Sequence, residues 1–130
     1  MATVNATLTI TSSDLTTDAI SLSVLNTLSS ATLGGVSRIK LETTAVSGAT
    51  VLANAAKYTE GARVWLYNPS TTTDGTERIY VTLNENDGTI VLKGGDWAII
   101  PWSGTTRTTD KNLEAWGQTA DAIIEFGVFQ

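Results

Sequence analysis

Apolar and polar residues alternate strictly at the start of the chain. From Ala2 to Ile10 the sequence reads Ala-Thr-Val-Asn-Ala-Thr-Leu-Thr-Ile, so every even position is apolar and every odd position is polar. Successive side chains of a β-strand point to opposite faces, and this period predicts a strand over Thr3–Ile10 with one apolar face. The pattern returns in short segments separated by Gly, Asn and Asp turns, which predicts an all-β chain.

Three later segments also predict strands. Ile20, Leu22 and Val24 resume the alternation. The run Val64–Tyr67 is apolar at every position, which is typical of a strand in the centre of a sandwich or one covered by a partner. Ile123–Phe129 is the predicted terminal strand.

The number and spacing of these segments predict the architecture. About nine or ten short strands with turns between them are typical of an antiparallel β-sandwich, either a jelly roll or an immunoglobulin-like fold. We expect a single sandwich domain over residues 1–130, with residues 1–11 as an extended N-terminal strand or arm.

Composition narrows the chemistry. The chain has 130 residues, of which 42% are hydrophobic, and it contains neither cysteine nor histidine. Disulfides, thiol catalysis and histidine acid–base chemistry are therefore excluded. We expect no enzyme activity, no cofactor and no metal. The N-terminus lacks a basic segment followed by an apolar run, so we also expect no secretion signal and no membrane partner.

Charge argues against nucleic acid as a partner. The net charge is −5 with only 8 lysines and arginines, and phosphate binding needs clustered basic side chains. Arg38 and Lys40 form the closest basic pair. They belong to the predicted strand Val36–Thr43, whose polar face we expect to be solvated or to carry a row of weak ion pairs.

Carboxylates and aromatic residues suggest one catalytic alternative. Glu114 and Glu125 fall on neighbouring predicted strands, where they could face each other as glycosidases require. Trp97, Trp102 and Trp116 could line such a cleft. Sugar binding without hydrolysis is the more economical hypothesis, because a chain of this size leaves little room for a cleft.

Tryptophans are also interface candidates, because they bury a large area and keep a polar group. We expect Trp65 and Trp97 to pack in the core. Trp102 follows Pro101, which we interpret as the end of a strand, and is expected at the surface.

The predicted contact residues combine the first strand with two tryptophans. A strictly alternating strand at a chain end can pair with the sheet edge of a neighbouring subunit, although an edge strand within the chain is the simpler interpretation. The candidate interface residues are Val4, Leu8, Ile10, Trp102 and Trp116.

The second half of the chain carries a recognisable order of strands. Val64-Trp65-Leu66-Tyr67-Asn68 is followed by Leu92-Lys93-Gly94-Gly95-Asp96-Trp97-Ala98-Ile99-Ile100-Pro101, and then by Ile124-Glu125-Phe126-Gly127-Val128-Phe129. Over residues 58–129 this order resembles small structural proteins of tailed-bacteriophage virions. The shared feature is a pattern of strands and not a catalytic signature.

The resemblance implies a non-enzymatic virion component with a β-sandwich fold. Such proteins serve as capsid decoration (cement) proteins, as neck or tail pieces, or as fibre-attachment modules. One compact acidic domain without cysteine favours decoration, because it is consistent with folding in the bacterial cytoplasm before assembly into the virion. The resemblance further implies the major capsid protein or other virion proteins as partners and a homo-oligomeric state. A carbohydrate-binding module is the alternative from another class.

Overall fold

The computed structural model describes residues 2–13, 20–31, 33–84, 87–104 and 111–130. This part of the chain contains ten β-strands and one short 3-10 helix, Ala55–Lys57. The strands are β1 (Ala2–Ser12), β2 (Ile20–Ala31), β3 (Gly34–Leu41), β4 (Thr50–Ala53), β5 (Ala62–Tyr67), β6 (Ile79–Asn84), β7 (Asp87–Leu92), β8 (Trp97–Trp102), β9 (Leu113–Gly117) and β10 (Ala122–Phe129). The prediction of an all-β chain is confirmed.

Contacts divide the chain into two compact units, residues 1–32 and residues 33–130. In the first unit β1 and β2 form a two-stranded antiparallel sheet, which we call the N-terminal ribbon. In the second unit the eight remaining strands form two four-stranded antiparallel sheets. These two sheets pack as a sandwich, as the strand pattern predicted.

Strand order gives each sheet of the sandwich its edges. We call the sheet ordered β3-β10-β5-β8 the front sheet and the sheet ordered β4-β9-β6-β7 the back sheet. Every described strand pairing is antiparallel. β8 and β7 are therefore edge strands, whereas β5 and β10 lie inside the front sheet.

The hydrophobic core lies between the two sheets. Its fully buried members are Leu41, Val64, Leu66 and Ile124 from the front sheet and Ile79, Val81, Leu113 and Ala115 from the back sheet. Burying one large aliphatic side chain contributes about 1.5–3 kcal/mol. This core is the main source of stability for residues 33–130.

β5 confirms the prediction of a central strand at Val64–Tyr67. Val64 and Leu66 point into the core, whereas Trp65 and Tyr67 alternate with them and are half-buried on the outer face. The strand pairs with β10 on one side and β8 on the other. Its apolar residues therefore serve two faces, which explains why the run shows no polar position.

The buried side chain of Asn68 links the end of β5 by hydrogen bonds to the segments at the ends of β6 and β7. The Nδ2 atom of Asn68 donates to the carbonyl oxygens of Glu77 at 2.9 Å and Leu92 at 3.1 Å. Its Oδ1 atom accepts from the backbone N–H of Ser70 at 3.1 Å. Asn68 is 1% exposed, and these bonds satisfy a polar group that would otherwise be costly to bury.

Candidate interaction surfaces

The N-terminal ribbon has one apolar face built from both strands. The register places Leu8 opposite Val24 and Ile10 opposite Leu22. These four side chains are 39%, 50%, 44% and 45% exposed, in that order. Among the ribbon residues whose side chains the structure describes, none is buried. In the ribbon, the alternation therefore places the apolar side chains on one face, but it does not bury them.

The opposite face of the ribbon is mostly hydroxyl-bearing. Thr27 Oγ1 donates to Asn5 Oδ1 at 2.9 Å across the strands. Leu25, at 63% exposure, is the large apolar residue on this side. Residues 2–13 and 20–31 contain no charged side chain. Charged residues are a common means of preventing edge-to-edge pairing, and these two strands lack that protection.

Three of the five predicted contact residues meet on the ribbon. Val4, Leu8 and Ile10 share the apolar face, as their even positions predicted. Leu22 and Val24 complete that face, although they were not among the candidate contact residues. Their alternation was visible in the sequence, but it did not reveal that β2 pairs with β1.

Trp102 is a correction to the sequence analysis. Its side chain is 6% exposed and its ring lies 5.9 Å from the ring of Tyr58 at an angle of 56°. β8 does not end at Pro101 but continues to Trp102, because an edge strand tolerates proline. The strand phase then places Trp102 on the inner side with Ile100, so the prediction of a surface position is wrong.

Trp97 is a correction in the opposite direction. It is 52% exposed, whereas core packing was expected. Trp65 is half-buried and lies on the outer face of the front sheet, where its ring stacks on Tyr67 with centroids 6.2 Å apart and an angle of 18°. Neither indole belongs to the core between the sheets.

The outer face of the front sheet is rich in aromatic and aliphatic residues. The register forms three rows across the sheet. These rows are Gly34–Phe129–Arg63–Pro101, Val36–Gly127–Trp65–Ile99 and Arg38–Glu125–Tyr67–Trp97. Val36 is 65% exposed and Ile99 is 41% exposed. An antiparallel sheet commonly turns a polar face to water, whereas this face also exposes large apolar side chains.

Ion pairs border this face along β3 and β10. Arg38 Nη1 lies 2.8 Å from Glu125 Oε1, and Lys40 Nζ lies 2.8 Å from Asp121 Oδ1. The hydrogen bond and the charge of Asp121 raise the pKa of Lys40 above its usual value. This confirms the prediction of an ion-pair row, and exposed pairs of this kind contribute little to stability.

The fifth predicted contact residue lies on the other sheet. Trp116 is half-buried on the outer face of the back sheet, directly opposite Tyr80. The two rings stack with centroids 5.5 Å apart and an angle of 15°. Val91, at 45% exposure, follows Tyr80 in the register on the edge strand β7.

The carboxylate pair of the glycosidase alternative does not form. Glu114 lies on β9 in the back sheet, whereas Glu125 lies on β10 in the front sheet. The chain crosses between the sheets after β9 instead of making a hairpin. Glu125 is bound to Arg38, so the expectation that these glutamates face each other on neighbouring strands is wrong.

Two polar sites are structural in character. Asp74 Oδ1 accepts from the backbone N–H of Thr76 at 2.8 Å and from its hydroxyl at 2.7 Å, and these bonds lower the pKa of Asp74. A cavity of about 220 Å³ includes Arg38, Glu77 and Asp121 in its lining. These groups are held by Glu125, Ser70 and Lys40 respectively.

Comparison with known proteins does not assign a function to these surfaces. No protein family, curated protein or solved structure matches this chain. Within the described ranges, no group of three or more acidic side chains is placed to hold a metal ion. In the same part of the chain, no helix has the length and apolar character needed to cross a membrane.

Proposed function

We propose that this chain is a non-enzymatic structural protein of a tailed-bacteriophage virion, which binds the capsid exterior and strengthens the shell. The N-terminal ribbon is the proposed attachment element. The observation that carries the proposal is its apolar face, in which Leu8, Ile10, Leu22 and Val24 are all substantially exposed. The resemblance of residues 58–129 to small virion proteins supplies the biological setting.

A two-stranded sheet is marginally stable in water, because it has no second layer to cover its apolar face. Docking that face on a shell protein removes apolar area from water and stabilises ribbon and complex together. The uncharged strands add no electrostatic penalty to such an approach.

A non-catalytic role is part of the same proposal. The chain contains no histidine or cysteine. Glu114 and Glu125, which were the best carboxylate pair in the sequence, belong to different sheets. Exposed apolar surface is therefore the strongest functional feature of the described residues, and such patches mark sites of protein association.

Copy number in purified particles of the source virus tests the proposal. Quantitative mass spectrometry against the major shell protein should give a count comparable to that of the shell lattice. A count matching one ring or a few fibres would instead assign the chain to the neck, the tail or a fibre attachment. Absence from the particles would overturn the virion proposal.

A matched pair of variants tests the attachment element. Leu8→Ser removes an apolar side chain from the proposed contact face, whereas Leu25→Ser makes the same change on the opposite face of the same ribbon. In a binding assay with particles that lack the protein, we expect Leu8→Ser to weaken binding at least tenfold and Leu25→Ser to leave it near wild type. Equal effects would contradict the assignment of the contact face.

A further inference from the structure

We propose that the outer face of the front sheet is a self-association surface, which binds the same face of a second copy of this chain. This inference is independent of the virion proposal, because it concerns a different surface of the protein. Its basis is the central row Val36–Gly127–Trp65–Ile99, together with Tyr67, Trp97 and Phe129 on the rows beside it.

The face has the composition of a protein contact. Trp97 and Val36 are more than half exposed, and Ile99 and Ile123 are close to two-fifths exposed. Contacts between proteins are enriched in aromatic residues and have apolar centres with polar rims. Val36, Ile99 and Ile123 offer no hydrogen bond, which disfavours a sugar as the ligand of this face.

The centre of the face is held in a defined shape. A Cβ atom at Gly127 would lie 2.9 Å from Cε2 of Phe129, so the phenyl ring leans over the glycine. Trp65 stands on the other side of Gly127 and stacks on Tyr67. Rings fixed by their neighbours lose little conformational freedom on binding, which favours association.

The arrangement of charges fits a copy of the same face. The molecule has a net charge of −5, which opposes self-association in general. On this face Arg38 and Lys40 are each neutralised by a carboxylate of the same chain, Glu125 and Asp121. The excess of negative charge therefore lies elsewhere, and two such faces can approach without strong repulsion.

The three rows of one copy fit those of a second copy when a two-fold axis lies in the interface and runs along the rows, perpendicular to the strands. A symmetric dimer pairs one patch with itself, and aligned sheets pack face to face. With this axis in the interface, the central row meets its own copy, so that Ile99 faces Ile99. The two outer rows exchange places, which brings Arg63 over the ring of Tyr67 in the second copy. Cation–π attraction then acts at both ends of the contact.

Sedimentation velocity of the full chain over a range of concentrations tests the proposal. We expect a concentration-dependent dimer for the wild type. Ile99→Glu should raise the dissociation constant of that dimer more than tenfold, because it places two carboxylates opposite each other. Val91→Glu is the matched control, since Val91 is also a β-branched residue on an edge strand and has nearly the same exposure. We expect it to dimerise like the wild type.

A cross-link keeps the test decisive if a glutamate variant folds poorly. The chain has no cysteine, so Ile99→Cys and Val91→Cys each introduce a unique thiol. A short bis-maleimide should join two copies through position 99 and not through position 91. A wild type that stays monomeric at all concentrations, or equal cross-linking at both positions, would overturn the proposal. If the wild type stays monomeric and glycans quench its tryptophan fluorescence, the face would instead be a sugar-binding surface.

Discussion

The N-terminal ribbon and the sandwich start from the same sequence pattern and end in different states. In the ribbon, the in-phase residues Leu8 and Val24 are 39% and 50% exposed. In strand β6 of the sandwich, the in-phase residues Ile79 and Val81 are fully buried. Both regions are antiparallel and both contain strands whose in-phase apolar residues share a face, so local strand chemistry does not account for the difference.

What differs is the presence of a second layer. The apolar inner face of the front sheet is covered by the back sheet, and together they form the core. The ribbon is one sheet of two strands. Alternation gives a strand its two faces, but burial requires a covering surface, which for the ribbon we assign to a binding partner.

The largest effect should come from the tryptophan that the sequence analysis placed at the surface. Trp102→Ala empties a buried site and should lower the free energy of unfolding by about 3–5 kcal/mol. Trp102→Phe should cost clearly less, because the indole Nε1 has no hydrogen-bond partner among the residues that the structure describes. Urea denaturation followed by circular dichroism measures both.

Trp97→Ala is the matched control for this experiment. Trp97 is 52% exposed at the other end of the same strand, and its removal should change the free energy of unfolding by less than about 0.5 kcal/mol. Equal destabilisation by Trp97→Ala and Trp102→Ala would show that the assignment of inner and outer sides in β8 is wrong.

The next prediction compares identical substitutions in the two units. Leu66→Ala should destabilise the sandwich by about 2–5 kcal/mol, because Leu66 is fully buried. Leu8→Ala should change the stability of the sandwich by less than about 0.5 kcal/mol. All four tryptophans belong to residues 33–130, so their fluorescence in a urea titration reports the sandwich alone. A large effect of Leu8→Ala on that signal would mean that ribbon and sandwich unfold together.

The smallest predicted effect concerns an ionisable side chain, because the ribbon strands and the sandwich also differ in their content of charged residues. The described ribbon strands carry no ionisable side chain, whereas Asp74 in the sandwich has a pKa below its usual value of 3.8 because Thr76 donates to it. Because the pKa of Asp74 is lower in the folded chain than in the unfolded chain, the interaction stabilises the fold at pH values above the unfolded pKa. This contribution is lost as the pH falls through the folded pKa. Thr76→Val should move the pKa of Asp74 upward in a carboxyl NMR titration. An unchanged titration would mean that the hydroxyl is not the main cause.

Sequence patterns predicted those features that depend on neighbouring residues. The strands at Thr3–Ile10, Val64–Tyr67 and Ile123–Phe129 are confirmed, because alternation and apolar runs are local signals. The dipeptide Asp87-Gly88 is a local sequence signal for a hairpin, and β6 and β7 pair on either side of residues 85 and 86, which lie outside the described residues.

The errors all arose where distant strands decide the outcome. Glu114 and Glu125 are close in sequence, but the crossing between sheets separates them. Pro101 is compatible with a strand because β8 is an edge, so the strand continues to Trp102. The alternation along β8 then places Trp102 on the inner side and Trp97 on the outer side. Asn68 gave no signal beyond its place before a proline, since two of its three side-chain hydrogen bonds reach the carbonyl oxygens of Glu77 and Leu92, which only the fold brings close.

Hydrogen exchange of the backbone amides in the free chain tests the central contrast most directly. If the ribbon lacks a covering layer, amides of β1 and β2 should exchange orders of magnitude faster than those of β5 and β10, which should open only with global unfolding. Equal protection of β1 and β5 in the free chain would contradict the account, because the apolar face of the ribbon would then be covered without any partner.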